Sequence, residues 1–251
     1  MPAVPSHVVQ ELAPTGRLRA TINLGNPVLA QQDAATGEPR GVSVDLAREL
    51  GRRIGLPVEL VTFDAAGKAF AALGSEACDV GFLAIDPARA EDLAFTAPYV
   101  LIEGTYMVPD ASPLREVGDV DRDGVRIAAG RNAAYDLYLS RTLKRAKLVY
   151  APTSHAALEM FAAERLDAAA GVRQPLLAFA GTHPGLRVME GRFMAIEQAI
   201  ATPKPRADGA AYLRTFVEEM KASGLVAASL ARSGQDATVA PPARDGAAGG
   251  A

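Results

Sequence analysis

Short apolar runs alternate with amphipathic stretches along most of this chain. Residues 80–85 are apolar throughout and lie between Asp79 and Asp86-Pro87, a pattern that predicts a buried strand whose C-terminal end opens into a polar loop. Residues 18–24 form a similar run closed by Gly25-Asn26-Pro27, and residues 58–63 another. Between these two, Leu46, Leu50 and Ile54 recur at i, i+4 and i+8 while Arg48, Arg52 and Arg53 take other faces, which predicts an amphipathic helix ended by Gly55. Ala69, Phe70 and Leu73 give a shorter helix. The order strand, helix, strand, helix, strand is that of a parallel sheet with crossover helices. Ligands of such sheets bind outside the carboxyl ends of the strands, where this chain places Arg89.

The second half repeats the scheme. Residues 100–108 are apolar and β-rich, and residues 109–124 are polar and punctuated by Pro113 and Gly118, so a boundary is expected there. A strand is expected over 125–129, a turn at Gly130-Arg131-Asn132, a helix over 133–143 with Tyr135, Leu139 and Leu143 inward, and a strand over 148–150. Ser154 is the expected cap of a helix over 155–164. Residues 193–201 read as a strand returning to the first half. An amphipathic helix over 208–223 (Tyr212, Phe216, Met220) and a short helix over 224–232 follow. Residues 1–16 lack periodicity and are expected to be an arm; the low-complexity stretch 233–251 is expected to be disordered.

Composition adds mainly exclusions. The 251 residues are 49% hydrophobic and 22% charged with a net charge of -3, so no basic surplus points to nucleic acid. Cys78 is the single cysteine and has no partner for an internal disulfide or a structural zinc site; a small buried residue is the expected role. No stretch reaches the roughly 18–20 apolar residues of a membrane span. The N-terminal residues show neither the positive nor the apolar region of a secretion signal. A removed signal, a start further upstream and a cytoplasmic protein all fit that pattern.

The segment CDVGFLAIDPARAEDLAFTAPY (residues 78–99) resembles the T-x-x-R…v-x-F-s-x-P-Y segment of the family 3 extracellular solute-binding proteins, the polar amino-acid-type binding proteins of ABC importers. The entry strand near Leu18, the stretch GEPRGVSVDLA (residues 37–47), Ala72-Leu73 through Asp79, the second-half start over 125–132 and the helix and strand over 158–170 follow in family order. Together they cover residues 17–232. The resemblance implies an α/β, two-lobed periplasmic-binding-protein-like fold (type II), each lobe a mainly parallel sheet with helices on both faces and two crossover strands as hinge. Lobe 1 is expected over 17–106 plus 195–232, lobe 2 over 107–194, and the hinge near 104–108 and 191–195.

It also implies a site. Arg89 matches the arginine that holds the ligand α-carboxylate, a task suited to a permanently charged planar fork; from the residues alone, a surface arginine paired with Glu91 or Asp92 is the alternative. Gly130-Arg131-Asn132 stands where relatives carry G-T-T or G-S-T, so Arg131 and Asn132 are candidate contacts at a helix start. Val172, followed by Arg173, stands where relatives place the aspartate that pairs the ligand ammonium. Asn23 replaces a frequent acidic residue, Phe82 and Ala84 replace hydroxyl residues, and Ala66 replaces an aromatic unless Phe63 or Phe70 substitutes. Arg89, Arg131 and Arg173 together predict a cationic cleft. That favours a small organic acid such as a dicarboxylate, or an amino-acid relative whose amine is held by Glu197 or Asp86.

Chemistry is poorly supported. His7, His155 and His183 adjoin no motif-like nucleophile, no metal-ligand spacing occurs, and Gly67-Lys68 lacks the rest of a phosphate loop. The expected function is the solute-binding component of an ABC importer: no enzyme, no cofactor, a monomer, with permease subunits as partners and the periplasm as compartment. A cleft enzyme resembling cyclohexadienyl dehydratase, with Glu197 or Asp86 as proton donor, and a cytoplasmic ligand sensor are the alternatives.

Overall fold

The computed structural model describes residues 3–243. The first half runs through α1 (Ser6–Leu12), β1 (Leu18–Asn23), the small pair β2 (Gln31–Gln32) and β3 (Pro39–Arg40), α2 (Val42–Ile54), β4 (Val58–Phe63), α3 (Ala66–Gly74), β5 (Val80–Ala84) and β6 (Leu93–Phe95). A long strand β7 (Val100–Pro109) leads into β8 (Arg126–Gly130), α4 (Ala134–Thr142), β9 (Lys147–Ala151), α5 (Ser154–Glu164), β10 (Ala168–Val172), α6 (Arg173–Thr182) and β11 (Leu186–Val188). The chain returns along β12 (Met194–Pro203) and ends in α7 (Ala207–Ala222), α8 (Leu225–Arg232) and β13 (Thr238–Val239).

The apolar pattern explains most of these elements. All five residues of β5 are buried, as an unbroken apolar run requires, and helix α2 buries Leu46, Leu50 and Ile54. Gly55 ends α2 in the left-handed conformation (φ 71°) that glycine adopts without strain. At Gly51 a Cβ would lie 2.1 Å from Val58 Cγ2, so only glycine lets α2 lie this close to β4.

One curled, mixed sheet runs in the order β4-β1-β5-β12-β7-β10-β8-β9. Strand β1 is parallel to β4 and β5, and β8 is parallel to β9 and β10, so each half carries its own parallel set. The sets are joined through β7 and β12, which pair antiparallel from Val100–Gln198 to Gly104–Met194. The main core follows the sheet; a smaller one holds Leu158, Phe161, Leu176 and Phe179 from α5 and α6, and a third packs Ala69 and Leu73 of α3 on Leu83 and Leu93. This is the two-set architecture expected of a type II binding fold. Among the described residues no helix is long and apolar enough to cross a membrane.

Both chain ends depart from expectation. Of the expected arm over 1–16, residues 3–16 are described and are more than an arm: α1 buries Val8 and Leu12, and Glu11 accepts a hydrogen bond from Gly209 N at 2.7 Å, docking α1 on α7. Residues 233–243, expected to be disordered, are ordered; Thr238 and Val239 pair with Leu101 and Val100, and Ala240 is buried. The reason is geometric. Strand β10 meets β7 only from Gly104 onward, so the first residues of β7 keep a free edge that the tail covers. Residues 244–251 of the expected tail lie outside the described residues. Helix α6 is an element that the apolar pattern does not signal, and the cap of α5 is Thr153, whose hydroxyl accepts from Ala156 N, rather than Ser154.

At the entry edge of β5, Asp79 is fully buried and accepts from Arg19 N, Arg19 Nε and Arg206 Nη1, each at 3.0 Å, and from Arg19 Nη2 at 2.7 Å. It thereby ties β1, β5 and the start of α7 together. Replacing Asp79 with Ala is expected to destabilise the protein by about 3–5 kcal/mol, because two guanidinium groups lose their buried partner; urea denaturation of both proteins measures it.

Candidate functional site

The carboxyl ends of β1, β5, β8 and β10 converge on a cleft between the two parallel sets, with a cavity volume of about 50 Å³. Arg89 lies at its floor. Asp86 builds the loop that carries it: its carbonyl accepts from Ala90 N and its Oδ1 from Ala88 N, both at 2.9 Å. This turn folds the Arg89 side chain back under the strand end, where the residue is only 3% exposed. Its Nη1 donates to Ala84 O at 3.2 Å and its Nη2 to Asn132 O at 2.9 Å, one acceptor from each half. Among the described residues no carboxylate forms an ion pair with it, Glu91 and Asp92 included, which rules out the surface-arginine alternative. Burial pushes its pKa down to about 10, opposed by the charge of Asp86, so the guanidinium remains cationic at neutral pH.

Four helices begin at this cleft. Ala65 and Ala66 at the start of α3, Ala133 and Ala134 at the start of α4, Thr153 and Ser154 at the start of α5, and Val172 just before α6 all line it. Ala65, Ala133 and Val172 occupy cap positions and make no side-chain cap hydrogen bond. Their first-turn N–H groups and the positive ends of the helix dipoles therefore favour an anion. Tyr135 is buried between these ends; its hydroxyl donates to Ser154 Oγ at 2.9 Å and accepts from Gly130 N at 3.3 Å, and burial raises its pKa.

The structure brings most of the expected site residues together. Asn23, Phe82, Ala84, Arg89, Arg131 and Val172 line the cleft. Asn132 takes part through its carbonyl rather than its side chain: it sits in the left-handed region (φ 60°), and its N–H donates to Asp136 Oδ2 at 2.6 Å. Arg131 lies over the Tyr150 ring, 4.4 Å from the centroid, and reaches the cleft from an exposed position. Arg173 is a correction. As the first residue of α6 it turns away, with Nε on Glu103 Oε2 at 2.7 Å, Nη1 on Met189 O at 3.2 Å and Nη2 on Gly191 O. Arg173 and Arg192 together hold the Glu103 carboxyl below the usual carboxylate range. The cleft thus has one buried cation and one at its rim, not three.

The two acids considered for an amine or a proton are elsewhere. Glu197 is exposed on β12 and does not line the cleft. Asp86 is buried and engaged by Arg141, Nη2 to Oδ2 at 2.6 Å and Nη1 to Oδ1 at 3.3 Å, a pair that bridges the loop after β5 to α4. Ala66 lines the cleft, whereas Phe63 and Phe70 pack on the core beneath α3. Cys78 is buried with its thiol pushed up to about 11 by that burial, as a packing residue requires. Sequence reasoning missed Asn26, Tyr135, Thr153, Ser154 and Gln198, all of which line the cleft. Gln198 follows Glu197 inside an otherwise apolar strand, and strand alternation from the buried Ile196 puts Gln198 inward and Glu197 outward.

The sequence profile of the bacterial extracellular solute-binding proteins, family 3, matches residues 19–234. The chain belongs to this family. No individual curated protein sequence matches it. Among solved structures, this solute-binding protein is similar to a mutant of ArgBP from T. maritima (23% identity, 90% of this chain and 98% of that one, TM-score 0.76). It is also similar to an amino acid ABC transporter substrate-binding protein from Streptococcus pneumoniae bound to L-arginine (18% identity, 93% and 99%, TM-score 0.77). A third is an ancestral amino-acid-binding protein described as a precursor of cyclohexadienyl dehydratase (20% identity, 89% and 97%, TM-score 0.73). These likenesses show the shared fold.

The bridge between the halves of this solute-binding protein is testable. Arg141→Gln leaves the buried Asp86 carboxylate with the Ala88 N–H as its remaining side-chain partner, and a loss of about 1–2 kcal/mol is expected given the half-exposed guanidinium. Urea denaturation gives the difference; an unchanged midpoint would show that the bridge contributes nothing.

Proposed function

We propose that the protein is the solute-binding component of an ABC importer and holds an amino acid or related small carboxylate in the cleft. The observation that carries this reading is Arg89: a cationic fork, buried at the meeting point of four helix starts, bonded to carbonyls and to no carboxylate. A ligand carboxylate would complete it with two parallel charge-assisted hydrogen bonds. The binding of L-arginine by the Streptococcus pneumoniae relative supports a ligand that carries a carboxylate.

The mechanism follows from the architecture. The two parallel sets act as lobes, 17–106 plus 195–232 and 107–194, and β7 and β12 act as the hinge near 104–108 and 191–195. Arg89 is fixed in the first lobe and bonds the second through Asn132 O, so a ligand on Arg89 also meets the α4 and α5 starts of the other lobe. Binding therefore stabilises the arrangement in which the lobes meet, and membrane permease subunits distinguish that arrangement from an open one. The protein works as a monomer outside the cytoplasmic membrane, in keeping with its family's description as extracellular. Catalysis is not part of the reading: no histidine lines the cleft, Glu197 faces solvent and Asp86 is committed to Arg141.

A thermal-shift screen against amino acids and small mono- and dicarboxylates is expected to find a ligand that leaves solution unchanged. At about 100 times its dissociation constant the ligand should stabilise the fold by about 2.7 kcal/mol. Arg89→Ala is expected to weaken that ligand by about 2–5 kcal/mol. Arg89→Lys, which keeps the charge and loses the fork, should fall between the two. Undiminished affinity in Arg89→Ala would take the carboxylate off this residue.

A further inference from the structure

We infer that the cleft selects a short carboxylate that carries no amine, with a hydroxyl group in its place: a small hydroxy acid. The inference rests on the carboxylate-binding reading and deepens it. Its basis is the charge balance of the walls. Among the residues that line the cleft, Arg89 and Arg131 are charged, both positively, and none is Asp or Glu. The acids adjoining these residues do not reach the cleft or are engaged: Glu197 is exposed on the other side of its strand, Asp64 is exposed and paired with Lys68, Asp86 is held by Arg141 and Ala88 N, and Asp136 by Asn132 N at 2.6 Å and Ser140 Oγ at 3.0 Å.

The backbone adds charge of the same sign. The starts of α3, α4, α5 and α6, helices of 9, 9, 11 and 10 residues, all open on the cleft, and each presents the positive end of its dipole. An anion neutralises Arg89 and satisfies N–H groups at these starts. A zwitterion brings its ammonium into the same positive field, where neutral oxygens can accept hydrogen bonds but cannot offset the charge. What distinguishes this cleft is the missing anionic partner for an amine, with Arg89 and Arg131 as the charged lining residues.

Neutral polar side chains also line the cleft, Asn23, Asn26, Thr153, Ser154 and Gln198 among them. A hydroxyl in the place of the amine can bond such groups without adding charge. The cavity volume of about 50 Å³ suits a small ligand. Val172 lines the cleft. It also occupies the uncapped cap position of α6, where Asp is a favoured residue, so a carboxylate can be introduced there without opposing the helix.

The test is calorimetric titration of the full chain with matched acids that differ only in hydroxyl against amine: glycolate and glycine, L-lactate and L-alanine, glycerate and serine, L-malate and L-aspartate, with L-arginine as a further amino acid. At least one hydroxy acid is expected to bind, with its amine counterpart and L-arginine at least 100-fold weaker. Val172→Asp is expected to narrow or reverse that ratio. Binding of any amino acid as tight as its hydroxy counterpart, or of L-arginine as tight as the best hydroxy acid, overturns this inference. If that binding is lost in Arg89→Ala, the carboxylate-binding function survives. A panel in which nothing binds overturns both.

Discussion

The antiparallel pairing of β7 with β12 is the constraint from which the rest of the molecule follows. Each strand is ten residues long, and each runs out of one parallel set into the other, β12 pairing with β5 and β7 with β10. Because the sets meet across these antiparallel strands, the carboxyl ends of β1 and β5 face those of β8 and β10. The helices α3, α4, α5 and α6, which follow β4, β8, β9 and β10, then begin at the same place. The convergence of helix starts is thus a consequence of topology rather than of any one residue, and it makes the cleft electropositive before a charged side chain is counted.

Arg89 is set against that background at a cost. A guanidinium is removed from water and placed where the helix ends already repel a cation. Its compensation is two carbonyl oxygens and the field of Asp86, and the depressed pKa records the balance. The contrast with the other end of β5 is instructive. At Asp79 the same chemistry, a buried charge among guanidinium forks, is fully paired and serves cohesion. Charge left partly compensated in a cleft marks a place for a ligand; charge compensated within the chain marks a place that holds the fold.

The halves also fit each other closely at the cleft. A Cβ on Gly67, in the first turn of α3, would lie 2.7 Å from Asn132 Cβ on the opposite side, so the absence of a side chain there permits the approach that Arg89 spans. The Asp86–Arg141 pair and the Arg89–Asn132 bond cross at nearby points. Contacts of this kind add specificity to one relative position of the halves while β7 and β12 carry their connection.

Much of this was legible in the sequence. Unbroken apolar runs gave the buried strands, helical spacing gave α2 and α7, and the loop after β5 marked Arg89, because these depend on residues near one another in the chain. Arg173 was misread because adjacency to Val172 does not fix direction: at a strand-to-helix junction successive side chains diverge, and Glu103, seventy positions away, takes the guanidinium. The order of residues 233–243 depended on a free edge of β7 that no local pattern reveals. Tertiary structure alone decided that Asn132 contributes its carbonyl, that Asp86 is spent on Arg141, and that Asn26, Gln198, Tyr135 and four helix starts share one cleft. The sequence determined which segments are buried and that Arg89 follows the buried strand β5 in the loop at its carboxyl end. The packing of the two halves determined the sign and shape of what surrounds it, since electrostatic fields sum over space and not along the chain.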